Sequence, residues 1–547
     1  MTPSEIPTPN DGCYFRCFSP LRLPGFGARL LISLGEEPMG MAIDQQSTIA
    51  ADREQDPPEL HPVIRTSAAR FLLEHWLRLL GISACVVVPC FWHRNIEAGD
   101  LSSHTYNAWL VQLIQHGHAP GLWLAWQSTN ILFDLVLSQM GNLLGLRTAE
   151  KIVVAVAILV FYWGAFALVC ASAQRVPWFV LPCLAMFAYG FTFELGLMNY
   201  YVSLGLSFWA LAIALCGRGW ERALAVALLP LIWMAHPSGV VLVIAAGAYI
   251  AVAEMLPSSH QLLLVAISGL VLFFGRFYLI GHYRIFEQER PFYFYNGLDQ
   301  LLLYGPHYRL PAILLLVVIV GCLASHAIRP PAGVELLAAS RLPLQLYVIT
   351  IVAAQMLPDG IYLPQYTVAL SVLPGRLTTI SAVLISCVLG VTNSRKWVLV
   401  SFATVAAIFF FFLFRDTGTL NRMENQVERY ENVLPPGQRV IATIWPFPGA
   451  RIQNHIVDRP CIGHCFSYGN YEPATRQFRV RALPGNPIVT ADSNTSAAMW
   501  FGEYVVQPQD LPMFQIYQCK LDMIELCMRE LASGETNGKY GLFHLVH

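Results

Sequence analysis

Charge is what this chain has little of. Asp, Glu, Lys and Arg make up 13% of its 547 residues, against 55% hydrophobic ones. A soluble domain carries roughly 25% charged residues, so this composition excludes a wholly water-solvated globule and points to lipid as the main solvent. Mean hydropathy is +0.50. Neither sign of charge prevails: the formal net charge is -1, which gives nucleic acid no footing. Several motifs are missing as well. The chain has no G-x-x-x-x-G-K-S/T loop for nucleoside triphosphates, no H-E-x-x-H and no pair of C-x-x-C. Residues 1–64 lack the charged-then-apolar form of a signal peptide. They read as a polar, disordered cytoplasmic leader, with Met39 and Met41 as alternative starts.

What is present is a series of long apolar runs. A membrane span needs roughly 20 apolar residues, because a helix rises about 1.5 Å per residue through about 30 Å of hydrocarbon. Eleven runs qualify: 72–92, 151–173, 178–192, 197–216, 221–235, 237–256, 260–281, 310–327, 342–358, 376–392 and 397–414. The expected architecture is an α-helical polytopic membrane protein with about eleven transmembrane helices in residues 65–415. A small α/β domain is expected at 416–547. The stretch 130–146 is apolar but carries Asp134, Gln139 and Asn142, and reads as a helix lying at the interface within the first external loop, 93–150.

Lys and Arg set the orientation. With an internal N-terminus and eleven spans, Arg65, Arg70, Arg175, Arg218, Arg222, Arg329, Arg341, Arg395 and Lys396 all fall on the cytoplasmic face. The C-terminal domain is then extracytoplasmic. There, 421–432 reads as a charged helix, 439–445, 487–490 and 504–507 as strands, and 513–531 as a helix. Cys461, Cys465, Cys519 and Cys527 lie in this region. Cys461-Ile-Gly-His464-Cys465 has the form of half a metal site, but no C-x-x-C supplies a second half, so disulfide or free thiol is the expectation.

The first external loop is where residues become specific. It reads Arg94-Asn95-Ile96-Glu97-Ala98-Gly99-Asp100-Leu101-Ser102-Ser103-His104 and ends on Gly145-Leu146-Arg147-Thr148-Ala149-Glu150-Lys151. Further on stands Phe193-Glu194-Leu195-Gly196-Leu197-Met198-Asn199-Tyr200. This order resembles the GT-C superfamily of membrane glycosyltransferases, to which the protein O-mannosyltransferases and aminoarabinose transferases belong. Members carry an acidic residue after span one, then interfacial helices and an external C-terminal domain. The resemblance covers most of 71–415 and rests on layout more than on any motif. An adjacent acidic pair common in relatives is absent, since Leu101 follows Asp100.

The resemblance implies Asp100 as general base, taking a proton from an acceptor hydroxyl as it attacks the anomeric carbon of a polyprenyl-phosphate sugar. The acceptor is a lipid, a glycan or a protein. Substrate-binding candidates are His104, Glu194, Asn199, His236, Arg276, Arg284 and Arg376, the arginines as phosphate holders. The cofactor is open; a divalent metal is compatible with this chemistry but not indicated. The expected setting is the bacterial inner membrane. Each candidate has a plainer reading. Asp100 suits the N-cap of the following helix, His236-Pro237-Ser238 suits a helix break, and Arg376 suits an interfacial anchor. A transporter or flippase of lipid-linked glycans is the alternative in another class. The lack of an internal repeat and the gathering of polar residues in external loops disfavour it. A polysaccharide polymerase or ligase is a closer third, but its long loop is expected late in the chain.

Overall fold

The computed structural model describes residues 68–217, 219–288, 295–328, 340–392, 396–444, 455–520 and 524–538. The leader and Arg65, Arg218, Arg329 and Arg395 lie outside these residues. Among the described residues the chain is mostly helical, and eight helices are long and apolar enough to cross a membrane. They are Phe71–Cys90, Leu146–Ala173, Met198–Cys216, Pro237–Met255, Ser258–His282, Pro306–Ile328, Leu373–Val391 and Lys396–Glu431. This is the content of a multi-pass membrane protein.

Eight is fewer than the eleven spans expected, and the difference has a local cause. The runs 178–192, 221–235 and 342–358 fall on shorter elements. The first is split into Trp178–Val180, Leu181–Ala188 and Phe191–Glu194 around Gly190. The second is divided into Trp220–Ala227 and Leu229–Ala235 next to Pro230, whose ring cannot continue the hydrogen-bond ladder. The third, Arg341–Met356, stops just before Leu357-Pro358. The stretch 130–146 holds the helix Leu132–Leu144, whose 13 residues reach only about 20 Å and so cannot cross.

The last long helix corrects the expected domain boundary. Lys396–Glu431 runs unbroken for 36 residues, so 421–432 is the end of a membrane helix and not a separate one. Its buried positions Leu420, Met423, Glu424, Val427 and Glu431 recur at helical spacing and form one stripe against the C-terminal domain. That domain carries a four-stranded sheet of order β6-β5-β8-β9, formed by β5 (Arg439–Thr443), β6 (Phe466–Ser467), β8 (Met513–Gln518) and β9 (Leu526–Glu530). β5 runs parallel to β6 and β8, while β8 and β9 are antiparallel.

Where a helix was expected at 513–531, Met513–Gln518 and Leu526–Glu530 are strands. Phe514-Gln515-Ile516-Tyr517-Gln518 is an aromatic and β-branched run of the kind that suits a pleated surface. A Cys519–Cys527 disulfide ties the two strands together. The expected strand at 487–490 is irregular, and 504–507 supplies only an isolated bridge, Val505 to Thr536. Loop one joins this domain directly, because β1 (Leu122–Leu124) pairs with β7 (Val480–Ala482).

Candidate functional site

The loop-one helix Leu101–Gln115 begins at Asp100, and two glycines fix where. Gly99 (φ 23°) and Gly196 (φ 75°) both have left-handed backbones. A Cβ on Gly99 would lie 2.3 Å from the Leu195 carbonyl oxygen, and one on Gly196 would lie 2.3 Å from the Asp100 nitrogen. Only glycine lets the two segments lie backbone to backbone. The contact is sealed by the Asp100 N–H donating to the Leu195 carbonyl at 3.1 Å.

Asp100 occupies the N-cap position, but its side chain makes no capping hydrogen bond. The carboxylate is turned into a cavity. There Oδ2 accepts from the Tyr471 hydroxyl at 3.2 Å, and Oδ1 lies 3.5 Å from His455 Nε2. The other ring nitrogen of His455 is bonded to Asp458 at 2.7 Å, and Asp458 also accepts from the Ser467 hydroxyl. Burial, the largest influence on His455, disfavours its charge. Asp458, Asp100 and Glu472 together outweigh that and raise its pKa. Asp100 thus favours the charged form of His455.

The cavity measures about 430 Å³ and is lined by Asp100, His104, Glu194, Asn199, His236 and Arg376, six of the eight residues singled out from sequence. It is of a size that takes a sugar-sized group. The other two, Arg276 and Arg284, are not part of it. Arg276 donates to the Met356 carbonyl at 2.9 Å and to Glu287 at 2.5 Å. Exposed Arg284 sits in β2 (Arg284–Phe286) and stacks over Tyr362. Their run of sequence is apolar and basic like that of Arg376, but β2 pairs with β3 (Gly360–Tyr362), which pairs in turn with β4 (Leu370–Ser371), and only β4 of this ribbon lines the cavity.

Arg376 faces the cavity from the first turn of Leu373–Val391. Its guanidinium lies over the Tyr200 ring at 5.2 Å, and Nε donates to the Ser371 carbonyl at 3.2 Å. Among the described residues it has no ion pair. Asn199 is already committed, donating to Asp134 at 2.8 Å and accepting from the Phe133 N–H at 2.8 Å. Glu194 is buried and accepts from the Tyr304 hydroxyl. His236 caps the next helix, its Nδ1 accepting from the Ser238 N–H at 3.2 Å.

His104 is a buried cation. Its Nδ1 lies 2.7 Å from Asp134 and 4.0 Å from Glu472. Burial works against its charge, but Asp134, Glu472 and Asp100 lift its pKa from 6.5 to about 10. Burial likewise raises the Glu472 carboxyl to about 7, with His104 opposing and Asp134 and Asp100 adding. The folded chain therefore keeps a proton on His104 that the unfolded chain loses above its ordinary value. That stabilisation is whole below about pH 6.5 and is lost as pH climbs through about 10. The midpoint of thermal unfolding is expected to fall more steeply between these values for the wild type than for His104→Gln. Equal slopes would remove His104 from this role.

One part of the cavity wall is a denser network. Arg459 donates to Glu150 at 2.9 Å, to both oxygens of Glu424 at 3.0 and 2.8 Å, and to the Ile96 carbonyl at 2.9 Å. Glu150 also accepts from Thr105 at 2.6 Å. Glu97, beside Glu424, is pushed well above the usual carboxylate range by burial and then by Glu424.

Sequence reasoning missed His455, Asp458, Arg459, Tyr471, Glu472 and Tyr304. The first five stand more than 350 positions after Asp100 and reach it only through the packing of the C-terminal domain on loop one. The chain matches no protein-family model, no curated protein and no solved structure.

Proposed function

We propose that the chain is an integral-membrane glycosyltransferase of the GT-C kind, moving a sugar from a polyprenyl-phosphate donor to a hydroxyl of a lipid, glycan or protein acceptor. The observation that carries this reading is one cavity lined by an oriented carboxylate, Asp100, and a guanidinium, Arg376, that forms no ion pair among the described residues. In the reaction the acceptor oxygen attacks the anomeric carbon and its proton passes to Asp100. The bond from that carbon to the phosphate oxygen breaks, and polyprenyl phosphate leaves with the electron pair. Arg376 meets the charge that develops there. Tyr471 and His455 hold the Asp100 side chain aimed into the cavity.

The topology supports a membrane-facing enzyme with eleven crossings. Cavity-lining residues come from 97–100, 194–200, 236, 304, 368–376 and 420–424, so the chain returns to the cavity end after each of the three shorter elements. Those elements act as crossings alongside the eight long helices. At the opposite end Arg175 bonds the Gly390 carbonyl at 2.8 Å, and Arg341 bonds Ser258. These arginines support reading that end as cytoplasmic and the cavity end as extracytoplasmic.

A flippase of lipid-linked glycans is the second reading. The helix broken at Pro230 and again at His236-Pro237 abuts the cavity, and broken helices are characteristic of carriers. The test is sugar transfer by the purified protein in liposomes, with a panel of polyprenyl-phosphate sugars. Arg376→Ala is expected to lower kcat/KM about ten- to a hundredfold, as for loss of a charge-assisted contact in the transition state. An unchanged value would reduce Arg376 to an interfacial anchor.

A further inference from the structure

Away from the cavity, two thiols and a carboxylate converge where the membrane helix meets the C-terminal domain. Glu431 is the last residue of Lys396–Glu431. Cys461 and Cys465 belong to the turn that follows Arg459. The Cys461 N–H donates to Val457 at 3.1 Å, and the Cys465 N–H donates to Cys461 at 3.0 Å. These bonds have the four-residue spacing of a helical turn, which sets both thiols on one side. All three residues are buried, and one ligand atom from each lies within 4.8 Å of the others.

Hydrogen bonding alone leaves this group incomplete. Glu431 Oε1 accepts from the Cys461 thiol at 3.4 Å, while Oε2 has no hydrogen-bond partner among the described residues although it is buried. A buried carboxylate oxygen with no donor is costly. No Lys or Arg forms an ion pair with Glu431 among the described residues. A bound cation would satisfy the carboxylate and both sulfurs together.

We infer that Glu431, Cys461 and Cys465 bind a zinc ion. Two thiolates and one carboxylate oxygen are a donor set that zinc takes in tetrahedral sites, and thiolate ligands discriminate against magnesium and calcium. The fourth corner is left to a solvent molecule. His464 does not fill it, because neither of its ring nitrogens belongs to the group of atoms within 4.8 Å of one another. Both thiols release their protons on binding.

The consequence is mechanical. The ion clamps the end of the last membrane helix to the turn that carries His455, Asp458 and Arg459, and thereby fixes the C-terminal side of the cavity. This site stands whether or not the reaction proposed above is right.

The test is metal analysis of the full chain purified in detergent, together with protein prepared from cells grown with cobalt in place of zinc. About one zinc per chain is expected, with a thiolate-to-cobalt charge-transfer band in the cobalt form. Zinc is expected to be lost in Cys461→Ser and Cys465→Ser and kept in the Cys519→Ser/Cys527→Ser pair. Should the cysteine variants fail to fold, the cobalt band of the wild type decides alone. Wild-type protein free of metal, zinc retained after both Cys461 and Cys465 are replaced, a cobalt form without a thiolate band, or a Cys461–Cys465 disulfide in non-reducing peptide maps would each overturn the inference.

Discussion

Asp100→Asn is expected to lower sugar transfer by about a hundredfold to ten-thousandfold, the usual contribution of a positioned general base. Asn keeps the shape of the side chain and can still accept from the Tyr471 hydroxyl, so the loss isolates the basic carboxylate. The plainer reading of Asp100 as a helix cap makes a different forecast. A cap contributes about 1 kcal/mol to stability and nothing to the chemical step, and Asn caps a helix about as well as Asp. The Asp100 side chain makes no capping bond in this structure, so thermal stability is expected to be unchanged in the variant. Rate measured under donor saturation, alongside the unfolding midpoint, separates the two readings. Transfer that survives intact would return Asp100 to the helix terminus.

The second large effect concerns stability. Arg459 is almost fully buried and neutralises Glu150 and Glu424, which are buried with it. Arg459→Leu leaves those carboxylates without a counter-charge in the interior, and breaking a buried pair in this way costs about 3–5 kcal/mol. The network joins loop one, the start of Leu146–Ala173, the end of Lys396–Glu431 and the C-terminal domain, so its loss is expected to loosen the cavity as a whole. Adding Glu150→Gln and Glu424→Gln to Arg459→Leu removes the stranded charges and is expected to restore more than half of the lost stability. A triple variant no more stable than the single one would show that the cost lies in packing and not in charge.

How much of this was legible in the sequence depends on the range of the contacts involved. Apolar runs report their own solvent, and every one of the eight long helices coincides with a run read from composition. The count of eleven rested on runs that Pro230, Gly190 and Pro358 cut short, and whether short pieces cross depends on where their ends are held. Loop one was legible because Glu97, Gly99, Asp100 and His104 lie within a few residues of each other. Arg376 was found, but Arg276 and Arg284 were chosen on the same grounds and face elsewhere. Nothing in a single sequence tells which arginine a ribbon such as β2–β3 will draw aside.

The C-terminal domain was harder still. Its second strand pair was misread as a helix, and four cysteines in the region did not say which two are joined. His455, Tyr471 and Arg459 carry no local signal at all. Their roles arise from β1 pairing with β7 and from the Ser102 hydroxyl donating to the His455 carbonyl at 2.8 Å, contacts between segments hundreds of positions apart.

The central claim is that chemistry, not carriage, happens in the cavity. It is tested most directly by following a doubly labelled polyprenyl-phosphate sugar, with one label on the sugar and one on the lipid, in liposomes containing the wild-type protein and extracted acceptors. The account predicts that the labels part: the sugar appears on an acceptor with its anomeric configuration inverted, and free polyprenyl phosphate accumulates in step. Labels that stay together while the intact molecule moves from one leaflet to the other would contradict it.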